Sequence, residues 1–142
     1  MEIIYEKTEF RAEILRSWPE QTNRKPLIYL ASPHNSKSSI TRERRYKAVV
    51  KVAAILMKDG YFIFSPIAHS HEIAKEIGKG YALHYDFWET YDRYMISLCD
   101  IFVVLMLSGW EKSVGVSDEI NYSNEIHKRI LYLDPKVKDW TT

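Results

Sequence analysis

The run Ile101-Phe-Val-Val-Leu-Met-Leu107 constrains this chain more than any other feature, because it is seven consecutive apolar residues with no polar alternation. A strand with one wet face alternates apolar and polar residues, whereas a strand covered on both faces reads as a continuous apolar run. Leu27-Ile-Tyr-Leu-Ala31, Tyr61-Phe-Ile-Phe64 and Arg129 to Leu133 are shorter segments of the same kind. Between them the spacing turns helical: Tyr46, Val49, Val50, Ala53, Leu56 and Met57 share a face within Thr41 to Lys58, which Asp59-Gly60 closes. Further helices are expected near 84–98 and over Val116 to His127. Ser65-Pro66 stops the second strand, and the polar, Gly-containing stretch to about Tyr81 reads as a connection. Apolar strands alternating with helices predict a three-layer α/β fold, flavodoxin-like or Rossmann-like, with a parallel sheet.

A chain of 142 residues with 46% apolar content is sized for one core. Residues 1–26 read as an N-terminal helical appendage, with Phe10, Ile14, Leu15 and Trp18 on one helical face, ahead of an α/β domain over 27–142. The 20 Lys+Arg against 19 Asp+Glu leave no basic footprint for a nucleic-acid polymer. The apolar runs fall well short of the ~20 residues of a membrane helix, and the N-terminus lacks a basic region followed by an apolar stretch, so neither membrane nor export is expected. The single Cys99 precludes an internal disulfide, and a reducing cytoplasm is the simplest setting.

In such sheets ligands bind beyond the carboxyl ends of the strands, which directs attention to segments 32–40, 65–71 and 107–119. The first, Ser32-Pro-His-Asn-Ser-Lys-Ser-Ser39, is rich in hydroxyls but is neither G-x-G-x-x-G nor a Walker loop. It either holds a phosphate or sugar, or is an ordinary loop in which Ser38, Ser39 or Thr41 caps the next helix. Trp88, Asp92, Met95 and Cys99 follow one helical stripe, setting an acid in an apolar seam. That acid either pairs with a neighbouring Arg or Lys, the commoner outcome on spacing alone, or sits at a site mouth with a perturbed pKa. Asp100, directly before the strand, reads as structural.

Ser113-Val-Gly-Val-Ser-Asp118-Glu119 carries the chain from the best strand into a helix. Ser113 or Ser117 can cap that helix and Asp118 and Glu119 suit its positive end, a stabilisation of ~0.3–1 kcal/mol. A carboxylate there also points into the crevice, where it can act as a nucleophile. His69-Ser-His71, with His84, lacks the pattern of a zinc site, and neither metal nor cofactor is expected.

Taken in order, Ile28-Tyr-Leu-Ala-Ser-Pro33, Phe64-Ser-Pro66 with His69, Asp92 eight residues before Asp100, the Val103-Val-Leu strand and Ser113-x-Gly-Val-x-x-Glu119 resemble the nucleoside 2-deoxyribosyltransferase-like superfamily. The resemblance spans about residues 27 to 133. It implies an N-glycosidic chemistry in which Glu119 is the nucleophile, Asp92 the acid on the preceding helix and Tyr29 the residue beside the sugar. Asp118 is the neighbouring candidate if the register shifts by one. The transferases usually carry Asp six residues before the nucleophile, whereas the monophosphate hydrolases carry Ser, as here at Ser113. A carboxylate would repel a dianionic phosphate to which a hydroxyl and helix-end amides can donate.

The resemblance therefore implies cleavage of a (deoxy)nucleoside 5′-monophosphate through a glycosyl-enzyme intermediate, with a homodimer or larger homo-oligomer. Ser32, Pro33, His34, Ser65, His69, Trp88, Trp110, Ser113 and Gly115 are the expected substrate contacts. Trp110 would either stack on a base or cover the crevice. The sequence departs from the hydrolases at Pro33-His34-Asn35, where they carry a Gly/Ser/Arg pattern, and in a longer Ser108-Gly-Trp-Glu-Lys112 loop. Base exchange by a deoxyribosyltransferase is the nearest alternative. A nucleotide sensor without chemistry, or a scaffold whose acids only serve a helix end, are readings from other classes.

Overall fold

The computed structural model, which describes residues 3–18, 24–78 and 85–138, builds the alternation into a five-stranded, all-parallel sheet. The elements are β1 (Ile3–Glu6), α1 (Lys7–Ser17), β2 (Leu27–Ala31), α2 (Ser39–Lys58), β3 (Phe62–Phe64), α3 (Pro66–Ile77), α4 (Tyr85–Leu98), β4 (Ile101–Leu105), a 3-10 turn (Trp110–Lys112), α5 (Val114–Glu125) and β5 (Arg129–Lys138). The strands run in the order β1-β5-β4-β2-β3. The expected α/β class is thus observed. The chain turns back across the sheet after β3, so β2 and β4, neighbours in space, are the strands between which the winding reverses.

Residue alternation on the central strands divides the core in two. Ile28 and Leu30 of β2 join Ile101, Val103 and Leu105 of β4 on one face, under Phe10 and Ile14 of α1 and Val49, Ala53 and Leu56 of α2. Tyr29 and Ala31 join Phe102 and Val104 on the other face, under Ile96 of α4 and Val116 of α5. The steps β1 to β2 and β2 to β3 run one way across the sheet and carry α1 and α2; the return steps carry α4 and α5. A single crossover hand requires this separation.

Several helix ends are set by local chemistry. Ser38 caps α2 by accepting from Thr41 N at 3.2 Å, one of the three capping residues expected. At its other end Gly60, at φ 98°, lets Tyr61 N reach Leu56 O and Gly60 N reach Met57 O, closing the helix in a Schellman turn. Asp100 accepts from Leu27 N at 2.8 Å and from Arg24 at 2.6 and 3.0 Å, the structural role expected of it. These bonds tie the start of β2 to that of β4, whose pairing sets Tyr29 beside Phe102.

Residues 1–26 were expected to stand apart as a helical appendage, with the core beginning at Leu27. Instead β1 is the edge strand beside β5, and Phe10, fully buried, meets Tyr61 edge-on at 5.2 Å. Four polar-flanked residues are too short a run to read as a strand without the partner that completes it. The stretch after Ser65-Pro66 was expected to be a connection but forms α3, with Ser65 as cap and proline in the first turn, both helix-start signals. Its buried side includes His71, so the apolar periodicity is broken by a histidine. β5 runs to Lys138, past Leu133, where the strand expected from the sequence ends. The expected start of the following helix at Val116 lies at Val114, because Ser113 is its cap. His84 falls outside the described residues.

Candidate active site

The switch between β2 and β4 is where Tyr29 and Glu119 meet. Alternation turns Tyr29 toward α4 and α5, where it is fully buried, stacked on Phe102 (5.4 Å, 12°) and tilted against Phe64 (5.6 Å). Its hydroxyl donates to Glu119 Oε2, and the Glu119 side chain is itself buried. Ser113 sets the start of α5 by accepting from Val116 N at 3.2 Å, which brings Glu119 round one and a half turns later onto the inner face. Asp118, the neighbouring candidate, turns instead toward α4 and accepts from Arg93 at 2.7 Å. The helix thus separates the two acids, one paired at the surface and one held inside.

Asp92 lies on the stripe of α4 that faces the sheet, the stripe on which Met95 and Cys99 pack into the second core cluster. It is half-buried and has no ion pair among the described residues, so the pairing expected from spacing is not formed. The adjacent Arg93 takes Glu89 and Asp118 instead, because it sits one residue round the helix from the buried stripe.

Burial raises both carboxyl pKa values. Glu119 is pushed up to about 8, first by desolvation and then by the nearby Asp92, with the Tyr29 hydrogen bond acting in the opposite direction. Asp92 is pushed up to about 7 by desolvation alone. Both carboxyls therefore keep their protons to higher pH than exposed carboxyls do. Burial, then Glu119 and Asp92, push the Tyr29 phenol well above its ordinary range, so it stays a donor. Cys99, buried behind them, is pushed up to about 12 and is a packing residue rather than a nucleophile.

The other expected contacts divide clearly. Ser32, directly after β2, is buried with a hydroxyl that has no partner among the described residues, and Pro33 beside it is buried as well. Ser65 is occupied as the cap of α3, accepting from Ala68 N at 3.0 Å. His69 is stacked on Tyr91 of α4 (5.3 Å, 17°), with the Tyr91 hydroxyl 2.9 Å from its Nε2. Trp88 meets Tyr91 edge-on at 6.0 Å. Trp110 lies against Tyr132 of β5 at 5.7 Å, tilted by 53°. A Cβ on Gly115 would meet only Ser113 Oγ at 3.9 Å, so packing within the chain does not demand a glycine there. His34 is bound to His71 of α3.

Tyr91, His71 and Arg45 are absent from the expected set. Arg45 donates to Asn35 O at 2.9 Å and to Ser108 O at 3.4 Å, joining the loop after β2 to the loop after β4. Only its place in the first turns of α2, beside a crevice loop, would have marked it. No group of three or more metal-ligating side chains occurs among the described residues.

A family model described as Domain of unknown function (DUF1937) matches residues 26–134, which run from the approach to β2 into β5 and include every residue of this crevice. No curated protein matches the chain.

The raised Glu119 pKa is also a statement about stability. The folded state holds the proton more tightly than the unfolded chain, so this carboxyl's contribution to stability is fullest below the ordinary carboxyl range and is lost as pH rises through about 8. Glu119→Gln keeps an acceptor for Tyr29 and removes the charge. The variant is expected to melt several degrees above the parent at pH 9 and close to it at pH 5, measured by thermal denaturation. Equal destabilisation at both pH values would contradict a buried, proton-retaining carboxyl.

Proposed function

We propose that this chain, which belongs to the DUF1937 family, cleaves the N-glycosidic bond of a (deoxy)nucleoside 5′-monophosphate, with Glu119 as nucleophile. The observation that carries the reading is a buried carboxyl, held by a tyrosine and faced by a second unpaired acid, at the switch point of a parallel sheet. A carboxyl that only served the helix end would turn to solvent or to a cation, as Asp118 does.

Glu119 attacks C1′ as a carboxylate, and the Tyr29 hydroxyl orients it and favours its charge. The C1′–O bond forms as the C1′–N bond breaks, through an oxocarbenium-like state, to give a glycosyl ester. Asp92 assists the leaving base or holds the sugar. Ser113 uses its oxygen as a cap acceptor, which leaves its proton free to donate, and α5 points its positive end in the same direction. Both suit a 5′-phosphate. The unpaired Ser32 hydroxyl supplies one more polar contact at the end of β2. Water resolving the ester makes the protein a hydrolase, and a second base makes it a transferase. The reaction as written draws only on side chains.

A homodimer belongs to the same reading. Phe87, Tyr91, Tyr94 and Leu98 are exposed along α4 at spacings of four, three and four residues, and Tyr94 and Leu98 are 64% and 52% exposed. This palindromic spacing lets the stripe face a second copy of itself in antiparallel register, Phe87 opposite Leu98 and Tyr91 opposite Tyr94. The stripe adjoins Trp88 and the His69–Tyr91 pair, so a partner copy would border the crevice. Light scattering is expected to give a dimer that Tyr94→Glu converts to monomer; a monomeric parent at tens of micromolar would contradict it.

Base release from a panel of ribo- and deoxynucleoside 5′-monophosphates and free nucleosides, followed by chromatography, tests the activity. Release from at least one monophosphate is expected, falling by at least about a thousandfold in Glu119→Ala. Release or exchange from nucleosides only would move the chain to the transferases. Binding without turnover would leave a sensor.

A further inference from the structure

Apart from the carboxyl pair, the structure holds a second titratable chain that the glycosyl-transfer step does not use. His34 Nε2 lies 2.8 Å from His71 Nδ1, and His71 Nε2 lies 2.8 Å from Glu43 Oε2. Three separate segments contribute: His34 the loop after β2, His71 the buried side of α3, and Glu43 the second turn of α2. His71 is 6% exposed and is clamped by Tyr46, whose ring stacks on it at 4.1 Å and 12°. Both His71 nitrogens are occupied on opposite sides of the ring, an arrangement that passes protons and does not gather ligands around a metal.

The end of this chain lies on the loop after β2, five residues beyond Tyr29. His34 stands two residues beyond the unpaired Ser32 hydroxyl, and its own carbonyl belongs to the set that Arg45 links to the loop after β4. Its Nδ1 has no hydrogen-bond partner among the described residues. A ring with one nitrogen left over, oriented by a second group that is oriented by a third, is the arrangement of acid–base catalysts.

We propose that His34 exchanges protons with the substrate's base and with water, and that His71 and Glu43 are positioning residues that feed it. The inference rests on the N-glycosidic reading above. In the loaded relay His71 is an imidazolium between Glu43 and His34, and His34 is neutral with its proton on Nδ1. As the C1′–N pair collapses onto the base, the base takes the Nδ1 proton, and His34 Nε2 takes the Nδ1 proton of His71. The charge thus passes from His71 to the departing base without resting on His34. When water attacks C1′ and the Glu119 ester oxygen regains its electron pair, the water's proton enters at His34 Nδ1 and the relay reloads. Asp92 is then left to hold the sugar.

The surroundings suit these roles. Burial, His71, Arg42 and Arg45 lower the His34 pKa to about 4, so it stays neutral and serves as conduit. Glu43 is held below the ordinary carboxylate range by its bond to His71 and by Lys75 and Lys47, so it remains an anion against the His71 ring. Tyr46 covers the intervening ring.

The test compares the parent, His34→Gln, Glu43→Gln, Glu43→Asp and Glu119→Ala on two substrates: the monophosphate turned over in the panel, and the 4-nitrophenyl glycoside of the same sugar phosphate, whose leaving group departs without a proton. On the nucleotide, His34→Gln is expected to lower kcat by roughly 10²–10⁴ with KM little changed. On the nitrophenyl glycoside its deficit should shrink to less than tenfold. Glu43→Gln should lower kcat on the nucleotide about tenfold while leaving the nitrophenyl glycoside nearly untouched, and Glu43→Asp should restore part of the loss. Equal deficits of His34→Gln on the two substrates, or none on either, would overturn the relay while leaving the Glu119 chemistry intact. Failure of the parent protein to release any base would overturn the parent reading and the relay with it.

Discussion

Burying the Glu119 carboxyl is the constraint on which the rest of the crevice depends, because an ionisable group withdrawn from water must be hydrogen-bonded, neutralised or both. Tyr29 supplies the hydrogen bond, and it can do so only because β2 is paired with β4 in a register that presses its ring onto Phe102. That register begins at Asp100, which joins the backbone of Leu27 to Arg24 before either strand has properly started. The helix contributes through its cap: Ser113 fixes where α5 begins, and so which of Asp118 and Glu119 turns inward. One pair of side chains deep in the fold is thereby positioned by contacts at both ends of the elements that carry it.

The same logic separates residues that look alike in sequence. Asp118 and Glu119 are adjacent acids, yet one accepts from Arg93 at the surface and the other is buried on a phenol. Asp92 and Arg93 are adjacent opposite charges, yet the helix turns them to different surroundings and leaves Asp92 to be raised by desolvation alone. His69 and His71 are two residues apart on α3, which sends one to Tyr91 of α4 and the other to Glu43 of α2.

Much of the architecture was legible because double-sided burial leaves an unmistakable mark. The β4 strand and the α2 helix can be read from the Ile101–Leu107 run and the spacing of Tyr46 to Met57; Asp92 and Glu119 stand out by spacing together with a family resemblance, and Tyr29 by that resemblance alone. What was not legible depended on partners far away in the chain. Ile3–Glu6 becomes a strand only because β5 offers an edge, and α3 was hidden because its buried face carries His71, which is stable there only with Glu43 and Tyr46 against it. Arg45 and Tyr91 were missed for a similar reason: each gains its meaning from a loop or helix that sequence distance does not bring near.

Under the proposed function Glu119 forms a covalent bond to the sugar. The most direct measurement is intact-mass and peptide mass spectrometry of the protein incubated with a 2′-fluoro nucleoside 5′-monophosphate, whose electron-withdrawing fluorine slows breakdown of a glycosyl ester. The account predicts an added mass of one fluorosugar phosphate, located on the peptide of α5 at Glu119 and absent from Glu119→Gln. Base release with the adduct on another residue, or undiminished release by Glu119→Gln, would contradict it.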